Sequence, residues 1–331
     1  MTHKVLIMGR HPARHREVIL SQQMPGLETM FLDGDDPTEL ADKLAAAEFV
    51  VALEFTAEHL AMAPKLKLLQ HSGVGYEQID VDAASERGVP VALTPEGTIP
   101  AVAEHVIMLI LGLYRYLVQA HNALARGEWI HKQLRAECLM LEGKTLGIIG
   151  IGRTGREVLR RALPFDVRAI YHDLRRLPAE EEERLGIEYR SLDELLSEAD
   201  IVTLHVFLSE GSRGMIGERE LNLMKPTAIL INTSRGDVVD ETELYHALKE
   251  RRIAGAGIDV FEEEPTPSDN PLLKLDNVLL TPHLAGGTLD SMRQKARAQY
   301  ENFRRVIDGS APINLTQPYR LVESDLKGQK T

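Results

Sequence analysis

Short apolar runs punctuate the chain at regular intervals. Val5-Leu6-Ile7-Met8, Phe49-Val50-Val51-Ala52-Leu53, Leu66-Lys67-Leu68-Leu69-Gln70 and residues 89–93 each read as a strand, and helical or turn material follows each of them. A helix-like segment spans residues 12–22. A second series begins at Thr145 and continues through residues 167–171, 201–204, 228–232, 255–260 and 278–280. Helical patterns occupy residues 153–163, 192–198, 217–224 and 241–251 between them. Strand and helix alternating in this way predict an α/β chain with two doubly wound parallel sheets. Pro100 opens a long apolar helix over residues 101–126, expected to be buried between layers or between subunits. Residues 286–308 read as another helix, with Arg293, Lys295 and Arg297 on its wet faces; residues 311–331 show only a return segment. The second series begins and ends inside the chain. The expectation is therefore a domain of residues 98–285 inserted into one built from 1–97 and 286–331. The two long helices would cross between the domains, and the cleft between them is the default place for chemistry.

The second series opens on Leu146-Gly147-Ile148-Ile149-Gly150-Ile151-Gly152-Arg153-Thr154-Gly155. Three glycines spaced G-x-G-x-x-G lie between a strand and a helix, the context a dinucleotide fingerprint demands. Gly150 permits the tight turn, Gly152 lets backbone approach a pyrophosphate, and Gly155 lets helix pack on strand. The helix N-terminus adds free N–H groups and a positive dipole end. Asp173 follows eighteen residues after Gly155, at the end of the next strand, where a carboxylate would meet the ribose hydroxyls. The fold expected is a Rossmann domain inserted into a flavodoxin-like substrate domain.

The net charge of -12 argues against nucleic acid and anionic membrane as partners. The longest apolar helical run, residues 106–113, is far too short to span a bilayer. Cys138 is the single cysteine, so no internal disulfide forms, and a cytoplasmic protein is expected. No signal peptide is read at the N-terminus and no metal site is expected. The acidic run Glu180 to Glu183 reads as a solvated helix face.

Candidate chemistry sits where the strands end. After the run at 66–70 comes His71-Ser72-Gly73-Val74-Gly75-Tyr76, which is either a concave nest of N–H groups for an anion or a plain turn. Three more strand-end segments are Asn232-Thr233-Ser234-Arg235-Gly236, Asp259 to Pro265, and Thr281-Pro282-His283. Arg235 can hold a carboxylate bidentately. His283 can exchange a proton near neutral pH, and Glu264 can orient it and keep it protonated. Trp129, the only tryptophan, reads as packing, with lining a site as the alternative.

From Leu66 to about Asn314 the chain resembles the D-isomer-specific 2-hydroxyacid dehydrogenases. The resemblance rests on Gly73-Val74-Gly75-Tyr76 with Ile79-Asp80, Thr94-Pro95 with Val102-Ala103-Glu104-His105, and Leu141-Glu142-Gly143-Lys144-Thr145 running into the fingerprint. It also rests on Asn232 to Gly236, Gly257-Ile258-Asp259-Val260-Phe261 and Thr281-Pro282-His283. It implies direct hydride transfer between NAD and a small 2-keto or D-2-hydroxy acid, with Arg235, Glu264 and His283 as the catalytic set. It implies a cofactor site of Gly150, Gly152, Arg153, Thr154, Gly155, Asp173, Val206, Thr233, Asp259 and Gly286, with Asp259 near the nicotinamide. Ser72, Gly73, Val74, Gly75 and Arg235 would bind the substrate carboxylate. A homodimer is implied as well.

Four departures from the family pattern bear on these expectations. Thr154 replaces a usual isoleucine, Phe207 a usual proline, and Thr98 a common asparagine. At Leu53-Glu54-Phe55 the loop is short and acidic where phosphoglycerate-type members carry Ser and Arg, which disfavours a phosphorylated substrate; Glu54 facing solvent is the other reading. Asp173 favours NAD, although Arg175 and Arg176 lie close enough to serve a 2′-phosphate. A cofactor-sensing binding protein, a 3-phosphoglycerate enzyme, and an enzyme for a bulkier keto acid with Trp129, Tyr76 and Phe55 around its pocket remain as alternatives.

Overall fold

Five parallel strands form the first sheet: β1 (His3–Ile7), β2 (Leu27–Phe31), β3 (Phe49–Ala52), β4 (Leu68–His71) and β5 (Val91–Ala92), in the order β2-β1-β3-β4-β5. This is a computed structural model, and it describes residues 2–34 and 36–316. The sheet belongs to a unit made of Met1–Thr98 and Gly287–Thr331; the other unit is Ile99–Gly286. Alternation along the strands gives each face its own core. Val5, Ile7, Phe49, Val51 and Leu68 pack with Tyr300 and Phe303 of the helix Leu289–Ile307. Leu6, Val50 and Leu69 pack on the other face with Leu44 and Leu60. The rings of Phe49 and Phe303 stack 4.8 Å apart. Full burial of each such side chain stabilises by about 1.5–3 kcal/mol.

In the first unit the structure departs most from the expected strands in three places. Strand β2 has no continuous apolar run, because an edge strand needs burial only at Leu27 and Phe31. Strand β3 stops at Ala52, and Leu53 turns outward, 63% exposed. Residues 89–93 yield only the two residues of β5. The returning chain instead pairs beside it, with the Leu93 N–H donating to Asn314 O (2.8 Å) and the Thr316 N–H to Val91 O (2.9 Å). The remainder of the expected return segment, residues 317–331, lies outside the described residues.

The second unit holds seven parallel strands: β6 (Thr145–Ile149), β7 (Arg168–His172), β8 (Ile187–Tyr189), β9 (Ile201–Leu204), β10 (Ile229–Asn232), β11 (Gly255–Ile258) and β12 (Val278–Leu280). Their order is β12-β11-β10-β9-β6-β7-β8, so the chain reverses direction across the sheet between β6 and β9, where open α/β sheets bind ligands. Leu146, Ile148, Ile229 and Ile231 face one core, and Val202, Leu204 and Leu230 the other. The helix Thr98–Tyr114 lies close on the first of these faces. A Cβ on Gly257 would stand 3.0 Å from the Leu109 Cβ, and one on Gly112 would stand 2.7 Å from Leu279.

The single helix expected over 101–126 is two helices. Tyr116 adopts a left-handed φ of 49°, and the axis turns by 61° into Leu117–Ala125. Only the first half is a core helix. Leu117, Val118 and Leu124 of the second are exposed, and Trp129 is 79% exposed rather than packed. Among the described residues no single helix is long and apolar enough to cross a membrane.

Candidate active site

The glycine turn after β6 is fixed by its own backbone. Gly150 has φ +92°, and a Cβ there would meet His205 O at 2.5 Å. A Cβ on Gly155 would meet Gly150 O at 2.2 Å, so helix Arg153–Ala162 can rest on the strand end only through a glycine. Gly152 differs: nothing lies within 4 Å of the position its Cβ would take, and no side chain caps the helix that follows. Open space and uncapped N–H groups at one helix start fit a dinucleotide pyrophosphate. Arg153 and Thr154 form the first helical positions there.

Asp173, just past β7, sits beside this turn. Its Oδ2 accepts from the Ile151 N–H at 2.8 Å, and among the described residues its Oδ1 has only a long 3.4 Å contact with the Arg175 N–H. Arg176 is turned away: its guanidinium pairs with both oxygens of Glu182 at 2.9 Å and lies over the Tyr189 ring. Glu182 also accepts from the Tyr171 hydroxyl at 2.7 Å. Glu182 is therefore no member of a solvated face; the Arg176 guanidinium holds its carboxyl below the usual range. At the end of β9, burial pushes the His205 imidazole down to about 3, which removes it as a proton donor near neutral pH. Val206 follows, half-buried, and Phe207 is exposed.

The loops after β10, β11 and β12 carry the polar residues. Buried Asn232 shapes the first of them. Its Oδ1 accepts from the Ser234 N–H (3.0 Å) and hydroxyl (2.8 Å), and its Nδ2 donates to Arg235 O (2.8 Å). The Thr233 hydroxyl is buried and meets no hydrogen-bond partner among the described residues, an orphan that a ligand can satisfy. Gly236 touches the next loop directly, because a Cβ there would lie 1.9 Å from the Phe261 carbonyl carbon. In that loop Glu264 Oε1 accepts from the Phe261 N–H at 3.0 Å, leaving Oε2 to contact His283 Nδ1 at 2.6 Å. His283 is half-exposed and holds φ +49°, an uncommon conformation for a histidine.

Asp259 fixes that turn. It is fully buried, accepting from the Thr281 hydroxyl (2.5 Å) and from the N–H groups of Leu284 (2.8 Å) and Ala285 (2.9 Å). The resemblance places this carboxylate at the nicotinamide; in the structure both oxygens are engaged by protein donors. Gly286 follows, half-buried. His105 on the helix Thr98–Tyr114 reaches the Thr281 hydroxyl at 2.9 Å. In the sequence alone, His105, Thr281 and Asn232 are marked by nothing more than their membership of the motifs.

In the first unit, residues 72–76 form a half-buried turn after β4. The Ser72 N–H is spent on Ala52 O at 3.2 Å, whereas those of Gly73, Val74 and Gly75 donate to no described residue. Phe55 is fully buried against His59, so it is a core residue and does not shape a pocket. Glu54 beside it is exposed.

A seven-stranded Rossmann sheet with a dinucleotide turn and an imidazole–carboxylate pair at its strand ends defines a nicotinamide-dependent oxidoreductase. Residues 107–285 match the family model described as D-isomer specific 2-hydroxyacid dehydrogenase, NAD binding domain. The chain is 46% identical to a glyoxylate reductase of Korarchaeum cryptofilum, over 78% of each chain. It is 42% identical to a glyoxylate reductase of Thermococcus litoralis, over 86% of this chain and 88% of the other. A D-3-phosphoglycerate dehydrogenase of Methanocaldococcus jannaschii is 40% identical over 84% of this chain, which spans about half (53%) of that longer protein. The solved glyoxylate reductase of Paecilomyes thermophila superposes with a TM-score of 0.80 at 30% identity, covering 96% of this chain and 99% of its own. The chain belongs to the D-isomer-specific 2-hydroxyacid dehydrogenase family. It is an NAD-dependent enzyme of that family.

Proposed function

We propose that the enzyme reduces small, unphosphorylated 2-keto acids such as glyoxylate and hydroxypyruvate to D-2-hydroxy acids, with Arg235, Glu264 and His283 as its catalytic set. The 2.6 Å contact between His283 Nδ1 and Glu264 Oε2 carries this reading. With Nδ1–H committed to the carboxylate, Nε2 is the atom left to exchange a proton with substrate. NADH, when bound, supplies the hydride that reaches the carbonyl carbon. His283 Nε2 donates a proton to the carbonyl oxygen as it becomes an alkoxide. Glu264 offsets the imidazolium charge and fixes the ring. Arg235 holds the substrate carboxylate and carbonyl oxygen. In the first unit, the N–H groups of Gly73, Val74 and Gly75, which donate to no described residue, suit a carboxylate as well. Gly152, Arg153, Thr154 and the flanking glycines would hold the pyrophosphate, Asp173 the ribose, and Val206, Thr233 and Gly286 the nicotinamide end. Glu54 is exposed, which is the solvent-facing reading, so the preference for an unphosphorylated acid rests on the short loop at Leu53-Glu54-Phe55, which lacks the Ser and Arg of phosphoglycerate-type members. In a panel, kcat/KM for glyoxylate or hydroxypyruvate is expected to exceed that for 3-phosphohydroxypyruvate by at least about tenfold. A preference for the phosphorylated acid would refute the assignment.

Asp173 repels a 2′-phosphate, and Glu182 holds Arg176 away from one, so NADH is expected to outperform NADPH. Asp173→Asn keeps an acceptor for the Ile151 N–H while removing the charge. It should raise kcat/KM with NADPH by about tenfold, the scale of one screened charge contact; an unchanged NADPH rate would reject this role for Asp173. The exposed Leu117, Val118, Leu124, Trp129 and Met140 all fall between residues 115 and 141, as an apolar subunit interface requires. We place a homodimer there, in the reducing cytoplasm that suits a lone Cys138. Light scattering should give twice 36.9 kDa, and a 36.9 kDa particle would exclude the dimer.

A further inference from the structure

We propose that His105 is a positioning residue for His283, acting through the Thr281 hydroxyl and the buried Asp259 carboxylate. The inference rests on the catalytic role proposed for His283. A fully buried carboxylate must be met by donors. Among the described residues Asp259 has three at hydrogen-bond distance, and all belong to the His283 turn: the Thr281 hydroxyl and the N–H groups of Leu284 and Ala285. They bracket His283 on both sides. The His283 N–H itself donates to Asp259 O at 2.7 Å. A left-handed φ of +49° costs free energy for a residue other than glycine, and these contacts hold His283 there.

Proton accounting extends the chain by one residue. Thr281 has one hydroxyl proton, and the carboxylate 2.5 Å away can only accept it. Toward His105 the hydroxyl oxygen is therefore the acceptor, and His105 Nε2–H is the donor, at 2.9 Å. Burial lowers the basicity of His105, with Asp259 opposing, so the neutral Nε2–H form serves. Nε2 stands 3.6 Å from Asp259 Oδ1, close enough to add to the field on the carboxylate. His105 is mounted on a helix whose Val106, Leu109 and Ile110 are fully buried in the sheet's core. The chain His105, Thr281, Asp259 thereby ties a half-exposed catalytic turn to a fixed point of the fold. Removing His105 takes away the donor that fixes the Thr281 oxygen from the helix side, and the turn loses part of the geometry that sets Nδ1 against Glu264.

The test measures kcat, the KM for keto acid and the Kd for NADH in the full-length enzyme. His105→Leu and Thr281→Val are expected to lower kcat by about ten- to hundredfold, the range seen when an orienting partner is lost. NADH affinity should stay within about twofold, because the chain acts on the proton donor and not on uniform binding. His105→Gln and Thr281→Ser, which keep a donor and a hydroxyl, should recover most of the loss. The double variant should be no worse than the poorer single one, as for residues acting in series. A His105→Leu enzyme with wild-type kcat, or a Thr281→Ser enzyme as impaired as Thr281→Val, overturns the proposal. Should His105→Leu fail to fold, the Thr281 pair decides alone. His283→Ala run in parallel separates the two claims: if it is active, the catalytic reading fails; if it is inactive while His105→Leu is normal, only the positioning role fails.

Discussion

The His283→Ala enzyme is expected to keep its affinity for NADH and to lose about three orders of magnitude in kcat for keto-acid reduction, within the range typical of a lost general acid. The side chain sits at a strand-end turn, half-exposed, with one ring nitrogen committed to Glu264. On the proposed mechanism, removing it takes away the proton source for the forming alkoxide and leaves the glycine turn after β6 undisturbed. Glu264→Gln should fall between the variant and wild type: the amide oxygen still accepts from Nδ1–H but no longer offsets the imidazolium charge. Single-turnover kinetics and a fluorescence titration with NADH separate the chemical step from binding. Near wild-type turnover in His283→Ala would end the assignment.

Gly236→Ala is expected to be the most damaging single methyl in the second unit. The new Cβ would fall 1.9 Å from the Phe261 carbonyl carbon, 2.0 Å from its oxygen and 2.4 Å from Glu262 N, all of them backbone. No rotamer relieves such a clash, so one strand-end loop must move away from the other. Overpacking of this kind costs about 3 kcal/mol. It also displaces the neighbouring Arg235 relative to Glu264. Both the midpoint of thermal unfolding and turnover should fall. Gly152→Ala is the control, because nothing lies within 4 Å of its Cβ position. That variant should unfold like wild type and bind NADH more weakly, since the methyl enters the space left for the pyrophosphate. Equal stability of Gly236→Ala and wild type would contradict the contact between the two loops.

Much of the fold was legible because it rests on continuous burial. Central strands covered on both faces, such as β3, β6 and β9, leave unbroken apolar runs. The edge strands β2 and β8 leave none, since one face and one side meet solvent. The break at Tyr116 was hidden because residues on either side of it are apolar for different reasons: Leu109 and Ile110 face the core, while Leu117 and Leu124 are exposed. Phe55 and Trp129 reversed their expected places. Alternation after β3 sends Leu53 out and Phe55 in, whereas Trp129 lies past the end of a helix that its own unit does not cover. The site was legible as a set of strand-end residue types. Its wiring was not, because His105 and Thr281 are 176 positions apart and meet only once the helix docks on the sheet.

The central claim, that this chain is a reductase of small 2-keto acids, is tested most directly by following NADH absorbance on mixing the protein with glyoxylate, hydroxypyruvate and pyruvate. The account predicts that NADH is consumed with at least one of them and that His283→Ala, though it binds NADH, consumes it about a thousandfold more slowly. Tight NADH binding with no consumption in the presence of any of the three acids would contradict it and mark the protein as a cofactor sensor.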